Sequence, residues 1–332
     1  MKALFRALAP ASFALVCLGA PIATYPQSPS ASSGPAYPTR PIRSIMTVAG
    51  GADIVARLVA QGLTSALGQP VVVESQAGAG GAIGAETVAR AAPDGHTIML
   101  ASASTVVMNR FLSKSARLDP IRDFTPITKA FETVALVVTS PSLPVDSVRE
   151  LIEYARRNPG KLSFGTSGVG TTHHLSGEAI RLLTGIDWVH VPYKGGPPVL
   201  TDLLSGRIQV GFSILATAAP FVSSGKIRLL AVNGAKRFHV IPNVPTVGEQ
   251  LPGYEAPSTW GGYFGPAGMP PAIVARLHDE IVRILNLPEV RAKAEGIGFV
   301  VSTSTPEELT ETIRRDIAYT SRIVKAVGIQ PE

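Results

Sequence analysis

The segment SFGTSGVGTTHHLSGEAIRLL, residues 163–183, places an apolar run, a loop of small and hydroxyl-bearing residues, and an amphipathic stretch in direct succession. Residues 166–172 carry no charge, so no acid, base or strong metal ligand lies among them. What they supply is backbone N–H groups, hydroxyls and the positive end of a helix. Such a loop suits a catalytic turn, a phosphate cradle, a carboxylate receptor or simply a well-capped helix. The rest of the chain has to discriminate.

The same strand, small-residue loop and helix order recurs along the sequence. IRSIMTV is followed by GGA and then DIVARLVAQGLTSALG, where Ile54, Leu58, Val59 and Leu63 repeat at helical spacing and Gly68 is a natural stop. PVVVE reads as a strand, GAIGAETVARAA as a helix and HTIMLAS as a strand. Beyond ALVVTS come the helix DSVRELIEYARRNPG, the strand KLSFGTS and a helix from Thr172 to Leu183. The strand WVHVPY, the helix PVLTDLLSG and the strands IQVGFSI and KIRLLAVNG follow. Two strong helices, PPAIVARLHDEIVRILN and TPEELTETIRRDIAYTSRIVKAVG, begin at Pro270–Pro271 and Thr305–Pro306. Alternating strands and helices predict parallel sheets covered on both faces. There are more elements than one doubly wound sheet needs, so two α/β domains enclosing a cleft are expected. Ligands in such sheets bind beyond the carboxyl ends of the strands. The loops VAGGAD, LASAST and GTSGVGTT all have that position.

Composition bounds the classes of function. The 332 residues are 45% apolar and 16% charged, which suits a buried core and excludes a disordered chain. The net charge of +6 includes Lys2 and Arg6; the first 36 residues hold no acid, so without them 28 basic residues face 24 acidic ones, a charge of +4. That excess favours an anionic ligand but lacks the basic runs of a nucleic-acid surface. Lys2, Arg6 and the short apolar run LAPASFALVCLGA read as an export signal, with a Pro/Ser-rich leader to Ala36. The single cysteine, Cys17, lies inside it, and ALVC matches poorly the small residues that precede a lipidated cysteine. The exported chain is therefore expected to have no disulfide or thiol chemistry.

Most catalytic readings fail on spacing. GTSGVG resembles the nucleophile elbow G-x-S-x-G, but Val169 stands where the second glycine is needed beyond Ser167. No phosphate-loop motif G-x-x-x-x-G-K-[ST] occurs, and in GAGGAIGAE the third glycine of a dinucleotide fingerprint falls one place late, at Gly84. His173 and His174 are adjacent, so on a helix they diverge by about 100° and cannot share a metal. His96, His190, His239 and His278 have no ligand spacing, and Glu178 and Asp202 fit ordinary helix positions. No metal or cofactor is expected. What remains is anion recognition at a helix N-terminus. Thr166, Ser167, Thr171 and Thr172 offer hydroxyls, and Gly168 and Gly170 permit close backbone approach. Plain N-capping accounts for the same threonines, and Asp53 is equally placed to cap the helix after GGA.

Taken in order, YPTRPIRSIMTV, GGADIVARLVAQGL, ALGQPVVVESQAGAGGAIGAETVARAAPDGHT, TSGVGTTHHLSGE, HVPYKGGPPVLTDLLSGRI and NVPTVGEQLPGYEA resemble the tripartite tricarboxylate transporter substrate-binding receptors, the Bug family. The resemblance spans nearly all of residues 37–332. It implies a two-lobed periplasmic-binding-protein fold, type II-like, with a hinge and an interdomain cleft. Lobe 1 would comprise 37–138 plus 258–332 and lobe 2 139–257, after a leader at 1–36, with crossings near 137–140 and 255–260. It further implies a periplasmic, monomeric, non-enzymatic receptor. Such a receptor would capture a small carboxylated solute and pass it to a membrane permease or present it to a sensor. Carried onto this chain, the contacts fall on Ala49, Gly50, Gly51, Asp53, Ser102 and Ser104 in the first lobe. In the second they fall on Thr166, Ser167, Gly168, Gly170, Thr171, Thr172, His173, Tyr193 and Lys194. Ser213 joins them at a place where many relatives carry an acid that can hold a cationic ligand group; its hydroxyl disfavours an amino-acid ligand. The first loop, TVAGGAD, is about two residues shorter than the family's P-F-x-P-G-G-x-x-D and lacks both prolines. A relative degenerate at that loop and devoted to a partner protein is the alternative reading, and a periplasmic hydrolase using Ser167 is the remote one.

Overall fold

The run IRSIM becomes strand β1 (Ile42–Met46), with four of its five side chains buried because helices cover both faces of its sheet. In this computed structural model, residues 37–48, 51–112 and 117–329 are described. The leader 1–36, with its export signal, and Ala49 and Gly50 lie outside the described residues. Parallel to β1 run β2 (Val71–Ser75) and β3 (Thr97–Ser102). Three antiparallel strands complete the first sheet: β4 (Phe124–Thr133), β10 (Trp260–Pro266) and β11 (Phe299–Val301), in the order β11-β4-β10-β3-β1-β2.

The second sheet contains β5 (Ala135–Thr139), β6 (Leu162–Thr166), β7 (Trp188–Pro192), β8 (Val210–Ile214) and β9 (Arg228–Val232), in the order β7-β6-β8-β5-β9. Strand β6 is parallel to β7 and β8, whereas β5 is antiparallel to β8 and β9. Both sheets are thus mixed, a correction to the all-parallel expectation. The cause is the passage of the chain between lobes. Only Val134 separates β4 from β5, so one extended stretch serves both sheets, and β10 brings the chain back. Such strands need no crossover helix to pair. Val137 to Thr139, near which the first crossing was expected, are paired on both edges inside the second sheet.

Each sheet is sandwiched by helices. Under one face of the first lie Ala52–Leu67 and Pro271–Leu285, which bring Val55, Val59, Leu63, Leu277 and Ile281 against Ile42, Ile98 and Leu100. The opposite face packs Ala85, Val88, Leu309 and Ile313 against Ile45, Met99 and Phe264. In the second lobe Leu151, Ile152 and Ile180 cover Val137, Phe164 and Phe212, while Val199, Leu203 and Ala218 cover Leu136 and Val138. Burying each of the larger side chains among these, the Val, Leu, Ile, Phe and Met, stabilises the fold by about 1.5–3 kcal/mol relative to exposure. A smaller buried cluster joins the lobes: Met108, Leu175, Ala179, Ile323 and Val324 bring the last helix, Pro306–Val327, against Thr172–Thr184. Among the described residues no helix is long and apolar enough to cross a membrane.

Candidate functional site

The loops after β1, β3 and β6 and the starts of two helices converge on a cleft of about 500 Å³. From the first lobe come Val48, Gly51 and Ala52 at the head of the helix Ala52–Leu67, then Ser102 at the end of β3 and Ala103 and Ser104 beyond it. The second lobe contributes Ser167, Thr172 and His173 at the head of the helix Thr172–Thr184. Two helix N-termini therefore face one space, and each adds unpaired N–H groups and partial positive charge. No side chain caps the first helix at Gly51. A Cβ on Gly51 would come within 2.7 Å of the Phe299 ring, so glycine lets this loop lie directly on that ring.

Thr171 is the N-cap of its helix: its hydroxyl accepts the His174 N–H at 3.4 Å and donates to the Gly168 carbonyl at 2.8 Å. Thr172 makes no side-chain hydrogen bond among the described residues and lines the cleft. Ser167 Oγ stands 3.1 Å from His173 Nδ1, and burial pushes His173 down to about 4, so the ring is neutral near pH 7. No carboxylate is bonded to His173 among the described residues, so the pair lacks the third group that orients a catalytic histidine.

Behind the loop lies a strut of aromatic and imidazole rings. His174 and His190 stack with centroids 3.9 Å apart, and His190 stacks in turn on Phe164. His174 Nδ1 accepts the Gly170 N–H at 2.9 Å, while its Nε2 lies 3.8 Å from Glu178. His190 Nε2 and the Thr166 hydroxyl are 2.7 Å apart, and Thr166 donates to the Gly168 carbonyl. Burial, with Arg181 nearby, holds His174 at about 4; burial and then His174 hold His190 at about 3. The rings thus brace both ends of the GTSGVG turn in their neutral forms.

The expected residues divide accordingly. Gly51, Ser102, Ser104, Ser167, Thr172 and His173 line the cleft. Thr166, Gly168, Gly170 and Thr171 shape the turn behind it. Asp53 is not the helix cap; it pairs at 2.8 Å with Arg57 one turn on. Tyr193 donates to Asp202 at 2.7 Å, and burial and that bond push it up to about 12. Lys194 is exposed, and Ser213 is buried and bonded to Thr217; neither lines the cleft. Ala49 and Gly50 lie outside the described residues. Sequence reasoning missed Val48, Ala52 and Ala103 among the cleft loops, and beyond them Phe131 and Thr133 of β4, Thr259 just before β10, Trp260 at its start, and Phe299 of β11. From the second lobe it missed Gly195, Gly196, Pro197, Ile214 and Thr217. The GGPP run beside YKGG was a usable signal for Gly195–Pro197; nothing local in the sequence marks the aromatic residues.

Residues 55–329 match the family model described as "Tripartite tricarboxylate transporter family receptor". A Pseudomonas sp. (strain P51) protein, the UPF0065 protein in the tcbD-tcbE intergenic region, is 33% identical over 305 residues, covering 91% of this chain and 90% of that one. Protein BugT of Bordetella pertussis is 32% identical over 300 residues, covering 89% and 92%. Among solved structures, R. palustris Rpa4515 with adipate is 34% identical with a TM-score of 0.78, covering 89% of this chain and 100% of that one. MatC from Rhodopseudomonas palustris with bound malate is 30% identical with a TM-score of 0.73, covering 87% and 100%.

Proposed function

The chain belongs to the tripartite tricarboxylate transporter receptor family, and from that premise we propose that it is an exported, periplasmic receptor. It captures a small carboxylated solute between its lobes and hands it to a membrane permease. The observation that carries this reading is the convergence of two helix N-termini, with Ser104, Thr172 and His173, on one cleft without charged side chains among the described residues. A carboxylate there is held by N–H and hydroxyl donors and by the helix ends. The solved relatives with adipate and malate support the same ligand chemistry.

In this reading residues 37–133 and 259–329 form one lobe and 135–258 the other, hinged at Val134 and at the segment before Thr259. A solute that touches both lobes stabilises the closed arrangement and shifts the population toward it. In this reading the protein binds and releases without turnover; among the described residues no acid orients His173 beside Ser167.

A thermal-shift screen against small carboxylates, each beside its uncharged amide, tests the proposal. Ligand at about a thousand times its dissociation constant adds roughly 4 kcal/mol, a rise of several degrees in Tm. An acid that shifts Tm while its amide does not supports carboxylate capture. Silence across di-, tri- and monocarboxylates overturns it in favour of a protein that only contacts a partner.

A further inference from the structure

Three polar side chains away from the cleft form a continuous chain of short hydrogen bonds. Tyr254 donates its hydroxyl to Asn233 Oδ1 at 2.6 Å, Asn233 Nδ2 donates to Ser176 Oγ at 2.6 Å, and Ser176 donates to the Thr172 carbonyl at 2.7 Å. Ser176 and Asn233 are 0% and 1% exposed, and none of the three lines the cleft. The direction of the chain follows from its chemistry. An amide nitrogen has only protons to offer, so Ser176 accepts from it and spends its own proton on Thr172. An amide oxygen only accepts, so Tyr254 donates. None of these polar atoms lacks a partner, and a fully satisfied buried network specifies one arrangement.

The two ends of the chain lie at different working parts of the molecule. Thr172 opens the helix Thr172–Thr184 and lines the cleft. A serine bonded to the carbonyl four residues back bends the turn it spans, so the Ser176 hydroxyl sets the direction of the turn that carries Thr172 and His173. The other end lies where the chain passes between the sheets. The Asn233 N–H donates to the Ala135 carbonyl at 2.8 Å, directly after Val134. Tyr254 stands at the start of the segment that leads into β10, and it packs on the cluster of Leu175, Ala179, Ile323 and Val324. Asn233 therefore holds one passage by its backbone, the other by its amide oxygen, and the cleft-lining turn by its amide nitrogen. An apolar side chain would fill this buried position without the cost of desolvating an amide.

We infer that Asn233 is a positioning residue for solute capture, holding the first turn of the helix Thr172–Thr184 in register with both passages between the lobes. The inference rests on the carboxylate-receptor reading above and deepens it. Ser176 carries the effect to Thr172, and Tyr254 anchors it beside the second passage. Movement of the Tyr254 segment relative to β5 reaches Thr172 as a change in the tilt of its turn. A solute held by Thr172 in turn favours the arrangement in which the chain is complete.

Calorimetry on the purified full chain tests this, with malate, adipate, citrate and benzoate as probes and the tightest binder carried forward. Ser176→Ala and Tyr254→Phe each delete one hydroxyl outside the cleft, and each should weaken that acid about three- to tenfold. Thr184→Ala is the matched control, since Thr184 makes the same kind of bond, to the Ile180 carbonyl at 2.6 Å, at the far end of the same helix. It should lower Tm about as much as Ser176→Ala and leave affinity unchanged. In a Thr172→Ala background, Ser176→Ala should cost less than about twofold, because both act through one contact. If Ser176→Ala fails to fold, Tyr254→Phe carries the same comparison. Unaltered affinity in the folded variants, or losses that multiply fully in the double variant, overturns the inference and leaves carboxylate capture standing. Binding of none of the four acids by the unaltered protein overturns the carboxylate reading and the inference together.

Discussion

Thr171 and Thr172 are neighbours of the same type, and the structure gives them different work. Thr171 caps the helix and ties the turn to Gly168, whereas Thr172 offers its hydroxyl to the cleft. Thr171→Ala should therefore lower stability by about 1 kcal/mol, with Tm falling by a few degrees. Thr172→Ala should leave Tm within about a degree and weaken solute binding roughly five- to tenfold, the worth of about one hydrogen bond to a charged group. Melting curves and calorimetry on both variants check the division; equal losses of affinity with no loss of Tm would refute it. In the sequence the two were indistinguishable, since either could cap a helix that starts after Gly170. Asp53 shows the same limit. Its position in the first turn was legible, but its choice of Arg57 over a backbone N–H depends on a rotamer. Tyr193 and Lys194 were carried over from the family resemblance, and a match in sequence does not say which way a side chain points.

At the scale of elements, the turn before the helix Thr172–Thr184 is held by histidines that must stay neutral. Protonating Nδ1 of His174 would set its N–H against the Gly170 N–H, and a charge on either stacked ring would repel the other. His173, His174 and His190 are all held well below 6.5, so the unfolded chain binds more protons than the native one as pH falls through that value. Stability is thus full above about pH 6.5 and is lost progressively toward pH 4. The prediction is a Tm that declines between pH 6.5 and 4. His174→Asn, which keeps an acceptor for Gly170 but cannot titrate, should flatten the decline by up to about 1.4 kcal/mol per pH unit. An identical pH profile in the variant would remove His174 from the account. Elements with regular periodicity were legible: the helix Ala52–Leu67 ends at Gly68, and Thr305 caps the last helix. The strand β10 was not. WGGYFGP looks like a loop, yet all seven residues are buried, and a Cβ on Gly261 would come within 2.4 Å of the Phe131 ring. Glycine is there to admit an aromatic neighbour from β4, a strand that itself carries Pro126 beside a bulge. Phe131, beside the cleft, therefore sits on a strand paired with one whose local sequence argues against strand.

The whole molecule was legible where order along the chain matters more than contact. Strand and helix alternation, together with the ordered motifs, indicated two α/β lobes around a cleft. The sheet that ALVVTS joins was not legible, because it reads as one apolar strand in either. Nor was the third tie between the lobes, where Ile323 and Val324 of the last helix pack with Met108, Leu175 and Ala179. That cluster continues the wall of the cleft, since Ser104 lines the cleft and Met108, one turn on, sits in the cluster. Tyr319 adds a bond to the Glu255 carbonyl at 2.9 Å, close to the second crossing. If the cluster forms as the lobes close, it contributes to the binding-competent population, and apparent affinity scales with that fraction. Ile323→Ala removes apolar contacts without touching the cleft. It should weaken binding about tenfold and enlarge the ligand-free particle in small-angle scattering, while saturating solute restores the compact form. Unchanged affinity with unchanged dimensions would instead make the cluster a fixed pivot, leaving Val134 and the segment before Thr259 to carry the motion.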